Sequence, residues 1–395
     1  MTPAARAQAA IEILDQVIAA AREGGAAADT LVARYFATRR YAGSKDRRAV
    51  RELVYRAIRG SAGPPGSGRV ALLNVASTNP ELLVAFDGSR HGPPPLAPGE
   101  LAPQRNSPVV PPWIVPRLDS CVMPEEWGAL LDRAPLDLRA NRLKGTREEA
   151  LERLPEAAPT PLSPVGLRLP DGFRVEETEA WSSGLVEIQD EGSQLLALAC
   201  AAAPGMTVLD LCAGAGGKTL AFAGEMRNEG RVIASDTDRG RLSRMMPRLE
   251  RAGATIVEPR LLDPGREMEA LGDLAGAMDV VLVDAPCSGT GTWRRNPELR
   301  WRLTPERVRR FVETQARLLD IAAAMVRPGG ALVYAVCSIL AEEGRGQAES
   351  FSARSSMVPE EVAMPFGRTA GPGKLLSPGR DGTDGFFVAR WQAPC

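Results

Sequence analysis

The stretch Val208-Leu209-Asp210-Leu211-Cys212-Ala213-Gly214-Ala215-Gly216-Gly217-Lys218-Thr219 joins an apolar run to a glycine-rich turn. The run predicts a buried strand, and such a turn lets the backbone approach a ligand and begin a helix whose amides face it. The turn is not a P-loop, which has four residues between its first glycine and Gly-Lys. A tight strand-to-helix turn without any ligand is the alternative that this segment alone leaves open.

The chain after residue 186 alternates apolar runs with helical segments. Residues 232–236, 280–284 and 331–335 are predicted strands, and residues 306–326 are a predicted helix. This alternation is typical of a parallel, doubly wound α/β sheet. Because the carboxyl ends of neighbouring strands in such a sheet line one crevice, we expect the residues that follow these strands to share a site.

The first part of the chain has a different character. Residues 4–59 contain three amphipathic segments, which predict three helices. Residues 60–112 are rich in proline and glycine, with short helices near Leu72 and Leu82, and are predicted to hold a linker. The predicted domains are a helical domain with its linker at 1–112, a small mixed α/β subdomain at 113–185, and a cofactor-binding α/β domain at 186–395.

The composition excludes several classes of protein. The 395 residues carry a formal net charge of −1, so any contact with nucleic acid must come from local basic patches. His91 is the single histidine, which excludes histidine triads and histidine-rich metal sites. The six cysteines form no CxxC pair and are interpreted as reduced thiols of a cytoplasmic protein. No apolar run approaches the ~20 residues of a membrane span.

Acidic residues and cysteines follow the predicted strands. Asp236 ends the second strand, where a carboxylate can hold the ribose hydroxyls of a dinucleotide or of S-adenosylmethionine. Asp284 and Cys287 follow the strand at 280–284, and Cys337 follows the strand at 331–335. For any single cysteine, the alternative is a small buried apolar residue.

Two thiols beside a cofactor permit a particular chemistry. Carbon 5 of cytosine is a poor nucleophile, but a thiolate that adds to carbon 6 makes carbon 5 reactive toward a methyl sulfonium. The thiol must ionise, and an acid and a base must assist at the ring nitrogen and at carbon 5. The cytosine must also leave its stack, which is easier in single-stranded or looped RNA. The arrangement therefore permits methylation of carbon 5 of a cytosine with S-adenosylmethionine as the methyl donor.

Residues 139–391 resemble the RsmB/NSUN (also called Fmu/Sun) family of RNA 5-methylcytosine methyltransferases. The most specific string is DAPCSGTGTWRRNPELRW at 284–301, and the supporting strings are IQDEGSQ at 188–194, DLCAGAGGKT at 210–219, ASDTDRGRL at 234–242 and YAVCS at 334–338. The resemblance implies a class I Rossmann-like methyltransferase fold with one late antiparallel strand at 385–391. Residues 39–59 are similar to the NusB-like, all-α domain of bacterial RsmB members, which favours 16S ribosomal RNA as the substrate.

The resemblance implies a role for each residue of the site. Cys337 matches the nucleophile, Cys287 the second cysteine that assists release of the methylated base, and Asp284 the acid between cofactor and cytosine. Asp236 matches the ribose-binding acid, and Asp263 the acid near the adenine. The loop around the methionine end of the cofactor is matched by Cys212, Ala213, Gly214, Ala215, Gly216, Gly217 and Lys218.

Two positions depart from the family pattern. The family loop usually reads Ala-Ala-Pro-Gly-Gly-Lys, whereas here Gly214 and Ala215 replace its second alanine and its proline. Glycine is the more permissive residue, so we expect the turn to survive. The family usually has threonine before its nucleophile, and Val336 stands there in this chain.

Two basic patches are candidate RNA contacts. Residues 34–59 carry a net charge of +7 and residues 293–310 a net charge of +5. Either patch can neutralise phosphates, although a solvated helix face is the alternative. Trp293 and Trp301 are candidates for stacking on bases or, equally, for packing. The predicted RNA-binding residues are Arg39, Arg40, Lys45, Arg47, Arg48, Arg294 and Arg295.

Three other functions remain open from the sequence. A transfer RNA cytosine methyltransferase uses the same chemistry, a non-catalytic ribosome assembly factor binds RNA without it, and an NAD-dependent oxidoreductase has a similar sheet. Retention of both cysteines argues against the second, and the Pro286-Cys287 and Cys337 arrangement argues against the third. We expect RNA as the partner, no membrane, no metal, and a monomer.

Overall fold

The computed structural model describes residues 1–100 and 108–395, so residues 101–107 of the predicted linker lie outside the described residues. The chain divides into two compact units. Unit 1 comprises Met1–Arg117, Trp127–Asp132 and Thr292–Pro305. Unit 2 comprises Leu118–Glu126, Arg133–Gly291 and Glu306–Cys395. The predicted domain boundaries stay a prediction.

In chain order, the α-helices of the described residues are α1 (Pro3–Glu23), α2 (Ala28–Ala37), α3 (Ser44–Arg59), α4 (Gly68–Thr78), α5 (Arg147–Arg153), α6 (Glu179–Ser182), α7 (Glu191–Ala199), α8 (Gly217–Glu225), α9 (Arg239–Ala252), α10 (Glu267–Leu271), α11 (Leu299–Arg302), α12 (Pro305–Met325), α13 (Arg345–Arg354) and α14 (Pro378–Asp381). None of them is long and apolar enough to cross a membrane.

The strands of the same residues are β1 (Leu136–Ala140), β2 (Ala158–Pro159), β3 (Gly166–Leu169), β4 (Val186–Ile188), β5 (Thr207–Asp210), β6 (Arg231–Asp236), β7 (Val257–Leu261), β8 (Met278–Asp284), β9 (Val326–Val336), β10 (Val358–Glu360), β11 (Arg368–Ala370), β12 (Gly373–Leu376) and β13 (Phe386–Gln392).

Unit 1 is built from helices, as its amphipathic segments predict. The apolar face of α1 supplies Leu14 and Val17, α3 supplies Val54, and α4 supplies Leu72, all fully buried in one core. The side chain of Thr2 accepts a hydrogen bond from the backbone of Ala5 and so caps the first helix. The predicted helix near Leu82 is a 3-10 turn at Pro80–Ala85.

Unit 2 contains two sheets. The smaller is antiparallel, in the order β2-β3-β1-β4. The larger has the order β11-β12-β13-β9-β8-β5-β6-β7, with β10 paired to β13. Its strands β5 to β9 are mutually parallel, and the chain order reverses between β5 and β8. In doubly wound sheets such a reversal point is where ligands bind.

The predicted late antiparallel strand is confirmed. β13 pairs antiparallel with β9, with Val388 opposite Ala335 and Trp391 opposite Leu332. Three short strands that the sequence did not predict, β10, β11 and β12, extend this side of the sheet, also antiparallel. β13 is therefore an interior strand between β12 and β9, and its Phe387 is fully buried.

Candidate active site

The carboxyl ends of the parallel strands bring the predicted site residues to one edge of the larger sheet. Asp210 ends β5, Asp236 ends β6 and Asp284 ends β8, while Cys337 directly follows β9. The strand register places Asp210 beside Leu282 and Asp284 beside Ala335. The sequence patterns that predicted these strands therefore also predict the convergence of the acids and the cysteines.

Cys287 and Cys337 meet at this edge. Their sulfur atoms lie 3.3 Å apart, and both side chains are partly exposed. The hydrogen bond of the Cys287 thiol to the Cys337 sulfur, the burial of the site and the charge on Cys337 raise the pKa of Cys287 well above its ordinary value. Cys287 therefore favours the protonated thiol, which can donate its proton toward the Cys337 sulfur.

Lys218 carries positive charge into the site. Its Nζ donates to Asp284 Oδ2 at 2.6 Å, and the lysine is 8% exposed. Burial alone would lower the pKa of Lys218, but its ion pair with Asp284 outweighs burial and raises it. The charge on Cys337 also raises the pKa of Lys218, so the ammonium group and the sulfur interact.

The glycine-rich loop folds against the carboxylate of Asp236. Gly214 and Gly216 adopt φ values of +58° and +84°, a region that side chains disfavour. The backbone N–H of Gly214 donates to Asp236 Oδ2 at 2.8 Å, and that of Asp238 donates to Oδ1 at 2.7 Å. Helix α8 begins at Gly217, where an added Cβ would meet no atom within 4 Å. The helix N-terminus thus faces open space beside a fixed carboxylate.

The acids of the strand ends surround the loop with negative charge. Burial raises the pKa of Cys212 well above its ordinary value, and the charges of Asp284, Asp210 and Asp236 raise it further. Such surroundings disfavour a second anion and favour a cation. The positively charged sulfonium and ammonium groups of S-adenosylmethionine fit this environment, and the carboxylate of Asp236 fits its ribose hydroxyls.

Asp210 is the most enclosed of these acids. Its Oδ2 accepts a hydrogen bond from the Thr219 hydroxyl at 2.7 Å, whereas its Oδ1 is buried and has no partner within the described part of the chain. Burial raises the pKa of Asp210 to about 7. The group is therefore partly protonated near neutral pH.

The remaining predicted cofactor residues lie around the same loop, with one exception. Ala213 donates its backbone N–H to Ser235, and the backbone oxygen of Ala215 accepts from Arg248 at 2.5 Å. Asp263 is exposed after β7, and only its backbone oxygen has a described hydrogen bond, from Arg266. Its assignment near the adenine stays a prediction. In residues 1–100 and 108–395, no three His, Cys, Asp or Glu side chains form a metal-binding group.

Glu343 is a site residue that the sequence analysis missed. It is fully buried, and its carboxylate accepts four hydrogen bonds. Two come from Ser288, one from Ser338 and one from Gln315. Burial raises the pKa of Glu343, although the serine hydrogen bonds oppose the rise. The available signal was a glutamate six residues after Cys337, which the sequence alone does not separate from a surface residue.

The predicted RNA-binding residues of unit 1 differ in exposure. Arg40, Lys45, Arg47 and Arg48 are exposed, Arg39 and Arg295 are half-buried, and Arg294 is buried. Arg39 is engaged with its own unit, since its guanidinium lies 3.7 Å from the centre of the Tyr35 ring. Arg47, although exposed, also donates its Nε to the backbone oxygen of Ala42 at 2.8 Å. The exposed residues of this set lie just before α3 and in its first turn.

Part of the second basic patch packs inside unit 1. Arg300 is 2% exposed and donates to the backbone oxygens of Ile58 at 2.8 Å and of Ser61 at 3.1 Å. Trp301 donates its indole N–H to Ser61 at 2.9 Å, and Trp293 is fully buried. The packing alternative for the two tryptophans is thus the one that the structure adopts.

Comparison with known proteins gives one family. Residues 197–392 match the family described as 16S rRNA methyltransferase RsmB/F. A relative from Salmonella paratyphi C, named ribosomal RNA small subunit methyltransferase B, is 36% identical over 290 residues, or 71% of this chain. The chain spans 65% of the length of that curated relative.

Two solved structures share the fold. The crystal structure of PH0851 has a TM-score of 0.79 at 23% identity, with 99% of each chain covered. NSun6 from Pyrococcus horikoshii, solved with SFG, has a TM-score of 0.61 at 21% identity and covers 67% of this chain and 92% of its own. Together with the sheet order above, this similarity confirms the predicted Rossmann-like fold.

Proposed function

The chain belongs, through residues 197–392, to the RsmB/F family of RNA methyltransferases, and from that premise we propose its reaction and its substrate. The proposed reaction is methylation of carbon 5 of a cytosine in 16S ribosomal RNA, through a covalent bond between cysteine and cytosine. The observation that carries the proposal is the pair of sulfur atoms 3.3 Å apart at the strand ends, beside the Lys218–Asp284 ion pair.

Cys337 is the proposed nucleophile. Its thiolate adds to carbon 6, so a sulfur–carbon bond forms and the ring double-bond electrons move toward carbon 5. Two features support this assignment: the ammonium group of Lys218 interacts with the Cys337 sulfur, and the raised pKa of Cys287 keeps that neighbour protonated. Asp284, held by Lys218, is the proposed hydrogen-bonding partner of the cytosine ring.

Cys287 is the proposed base for release. When the Cys337 sulfur is bonded to carbon 6 it no longer carries charge, and it becomes a weaker acceptor for the Cys287 thiol. Two of the causes that raise the pKa of Cys287, the hydrogen bond to Cys337 and the charge on Cys337, are thereby reduced. Cys287 can then ionise and remove the proton from carbon 5. The electrons of that carbon–hydrogen bond restore the ring double bond as the bond between carbon 6 and Cys337 breaks.

S-adenosylmethionine is the proposed methyl donor. S-adenosylmethionine would supply a methyl group bonded to a positively charged sulfur. That methyl group is an electrophile for carbon 5. Its ribose would be held by Asp236, and its methionine end by the loop from Cys212 to Lys218. The negative surroundings of that loop support this placement, and so does NSun6, a protein of the same fold solved with the S-adenosylmethionine analogue SFG.

The exposed basic residues of unit 1 are the proposed contacts to RNA phosphates. Arg40, Lys45, Arg47 and Arg48 form a cluster around the start of α3 that can attract a phosphate backbone. The name of the relative from Salmonella paratyphi C supports ribosomal RNA of the small subunit as the substrate. We further propose that the protein acts as a cytoplasmic monomer.

The test uses the full chain with methyl-labelled S-adenosylmethionine and three substrates in parallel: free 16S RNA, small ribosomal subunits and transfer RNA. Bisulfite sequencing then locates each 5-methylcytosine. We expect one methylated cytosine in 16S RNA, and the same position unmethylated in a strain lacking the protein. Methylation of transfer RNA alone would overturn the substrate, and RNA binding with no methylation of any substrate would overturn the reaction.

A further inference from the structure

We propose that Glu343 is a positioning residue that holds the loops of Cys287 and Cys337 together, an inference that rests on the proposed function. The geometry is unusually symmetric, because the residue after each cysteine binds the same carboxylate. Ser288 follows Cys287, and Ser338 follows Cys337. Their hydroxyl groups donate to the same oxygen, Glu343 Oε2, at 2.5 Å and 2.6 Å.

The other oxygen binds the loop of Cys287 on both sides of that cysteine. Glu343 Oε1 accepts from the backbone N–H of Ser288 at 2.8 Å and from Gln315 Nε2 at 3.1 Å. The same Gln315 Nε2 donates to the backbone oxygen of Pro286 at 2.9 Å. The residues before and after Cys287 are thus both tied, directly or through one amide, to a single buried side chain.

Supporting contacts fix Glu343 and the serines in turn. The Tyr334 hydroxyl donates to the backbone oxygen of Glu343 at 2.6 Å. The Thr290 hydroxyl lies 3.0 Å from the Ser338 hydroxyl and accepts from the backbone of Ile339 at 3.0 Å. The network therefore connects the loop after β8 to the loop after β9 through groups with almost no exposure.

The hydrogen-bond inventory explains why a carboxylate stands at this position. Four donors point at Glu343, and an ionised carboxylate accepts without presenting a proton of its own. A glutamine could keep its oxygen toward Ser288 N and Gln315, and turn its amide N–H groups toward the two hydroxyls, which can rotate to accept. Alanine would remove the acceptor that the two loops share, although Gln315 would keep its bond to Pro286 and both hydroxyls their contact with Thr290.

The test compares Glu343→Gln, Glu343→Ala and Ser338→Ala with Glu349→Gln, a matched control at an exposed position of α13. One readout is the kcat and the KM for RNA. The second is the rate at which diamide oxidises Cys287 and Cys337 to a disulfide, followed by mass spectrometry of the linked peptide. In that reaction, diamide takes two electrons and two protons from the thiols, so the rate reports how often the sulfurs meet.

We expect Glu343→Ala to lower kcat about a hundredfold at an unchanged KM, since misplaced reacting groups lose rates of that order. Its disulfide should form at least about tenfold more slowly, and Glu343→Gln should restore both values to within about tenfold of wild type. Ser338→Ala should show an intermediate decrease in kcat and in the disulfide rate. If Glu343→Ala does not fold, these two values for Ser338→Ala test the proposal. Glu349→Gln should match the wild type.

Two results would overturn the proposal. One is a Glu343→Ala or Ser338→Ala variant with a lower melting temperature but unchanged kcat and disulfide rate. This result would indicate a role in stability alone. The other is a Glu343→Gln variant as slow as Glu343→Ala, which indicates a requirement for charge. If wild type methylates no RNA, the proposed function fails, and the disulfide rates alone still decide whether Glu343 sets the spacing of the sulfurs.

Discussion

Cys287 Sγ lies 3.3 Å from Cys337 Sγ, although 50 residues separate the two cysteines in the chain. Both sulfurs can therefore reach one cytosine ring. Separate alanine substitutions test the role of each. We expect Cys337→Ala to abolish methylation, because it removes the sulfur that is proposed to bond to carbon 6 of the cytosine. Methyl incorporation into RNA measures this, with Cys395→Ala, an exposed position, as the control.

Cys287→Ala should have a different effect, since it removes the proposed base for release and keeps the nucleophile. The variant should form the bond to cytosine, accept the methyl group and remain attached to its RNA. A denaturing gel with labelled RNA would show this as a slowly migrating band that nuclease removes. Accumulation of that band with Cys337→Ala instead would reverse the two roles, and its absence from both would contradict the adduct.

Asp236→Ala should weaken binding of S-adenosylmethionine. The substitution removes the carboxylate proposed to hold the ribose and frees the backbone N–H of Gly214, which donates to it at 2.8 Å. Hydrogen bonds to charged groups contribute about 1.5–3 kcal/mol, so we expect a loss of that size in calorimetric titration. Asp320→Ala, on the exposed side of α12, is the control. An unchanged affinity of Asp236→Ala for S-adenosylmethionine would contradict the proposed placement of the ribose at Asp236.

Asp210 should make the stability of the protein depend on pH. Burial raises its pKa from 3.8 to about 7, so the folded chain holds this proton more tightly than the unfolded chain. The stability that the protonated group contributes is therefore fully present below pH 3.8 and is lost as the pH rises through about 7.

Asp210→Asn removes this titration. The free energy of unfolding of the variant, relative to wild type, should rise between about pH 4 and pH 7 by at most about 1.4 kcal/mol for each pH unit. Urea unfolding at four pH values across that range measures the difference. A difference that stays constant with pH would show that Asp210 does not titrate in this window.

Arg300→Ala should destabilise unit 1. The guanidinium is 2% exposed and donates to backbone oxygens of Ile58, Ser61 and Val109, which would lose a buried donor. Ser61 keeps the indole N–H of Trp301 as a donor, and Ile58 keeps the backbone N–H of Ser61. A buried acceptor left without its partner costs about 1–3 kcal/mol, and we expect a total loss of that size. Scanning calorimetry measures it against Arg309→Ala, an exposed arginine of α12. Equal melting temperatures for the two variants would contradict this role.

The sequence predicted the parts of the fold whose residues repeat a pattern. The apolar runs that became β5, β6, β8 and β9 are buried along nearly their whole length, and their ends determine where Asp284 and Cys337 lie. By contrast, β10 is exposed at every residue and contains Pro359, so neither burial nor alternation marks it. β10 forms by pairing with β13, and a short window of sequence around β10 does not contain that partner.

The sequence could not predict which charged residues are buried. Glu343 and Glu342 are adjacent in the same short string, yet Glu343 alone is fully buried and binds the serines. Likewise, Arg300 belongs to a run of arginines that indicated a phosphate-binding surface, whereas its guanidinium binds backbone oxygens near the end of α3. A charge is buried only where distant residues supply its partners, and a linear pattern does not contain that information.

The discontinuity of unit 1 has a consequence for how the chain acquires its structure during synthesis. Ser61 receives hydrogen bonds from Arg300 and Trp301, and Trp301 lies 240 residues further along the chain. At translation rates of about 5–20 residues per second, that interval lasts roughly 12–48 s. The N-terminal helices therefore leave the ribosome before α11 exists, with the place of Trp301 in their core unfilled. Vectorial synthesis thus delays completion of this unit until strands β1 to β8 have been made.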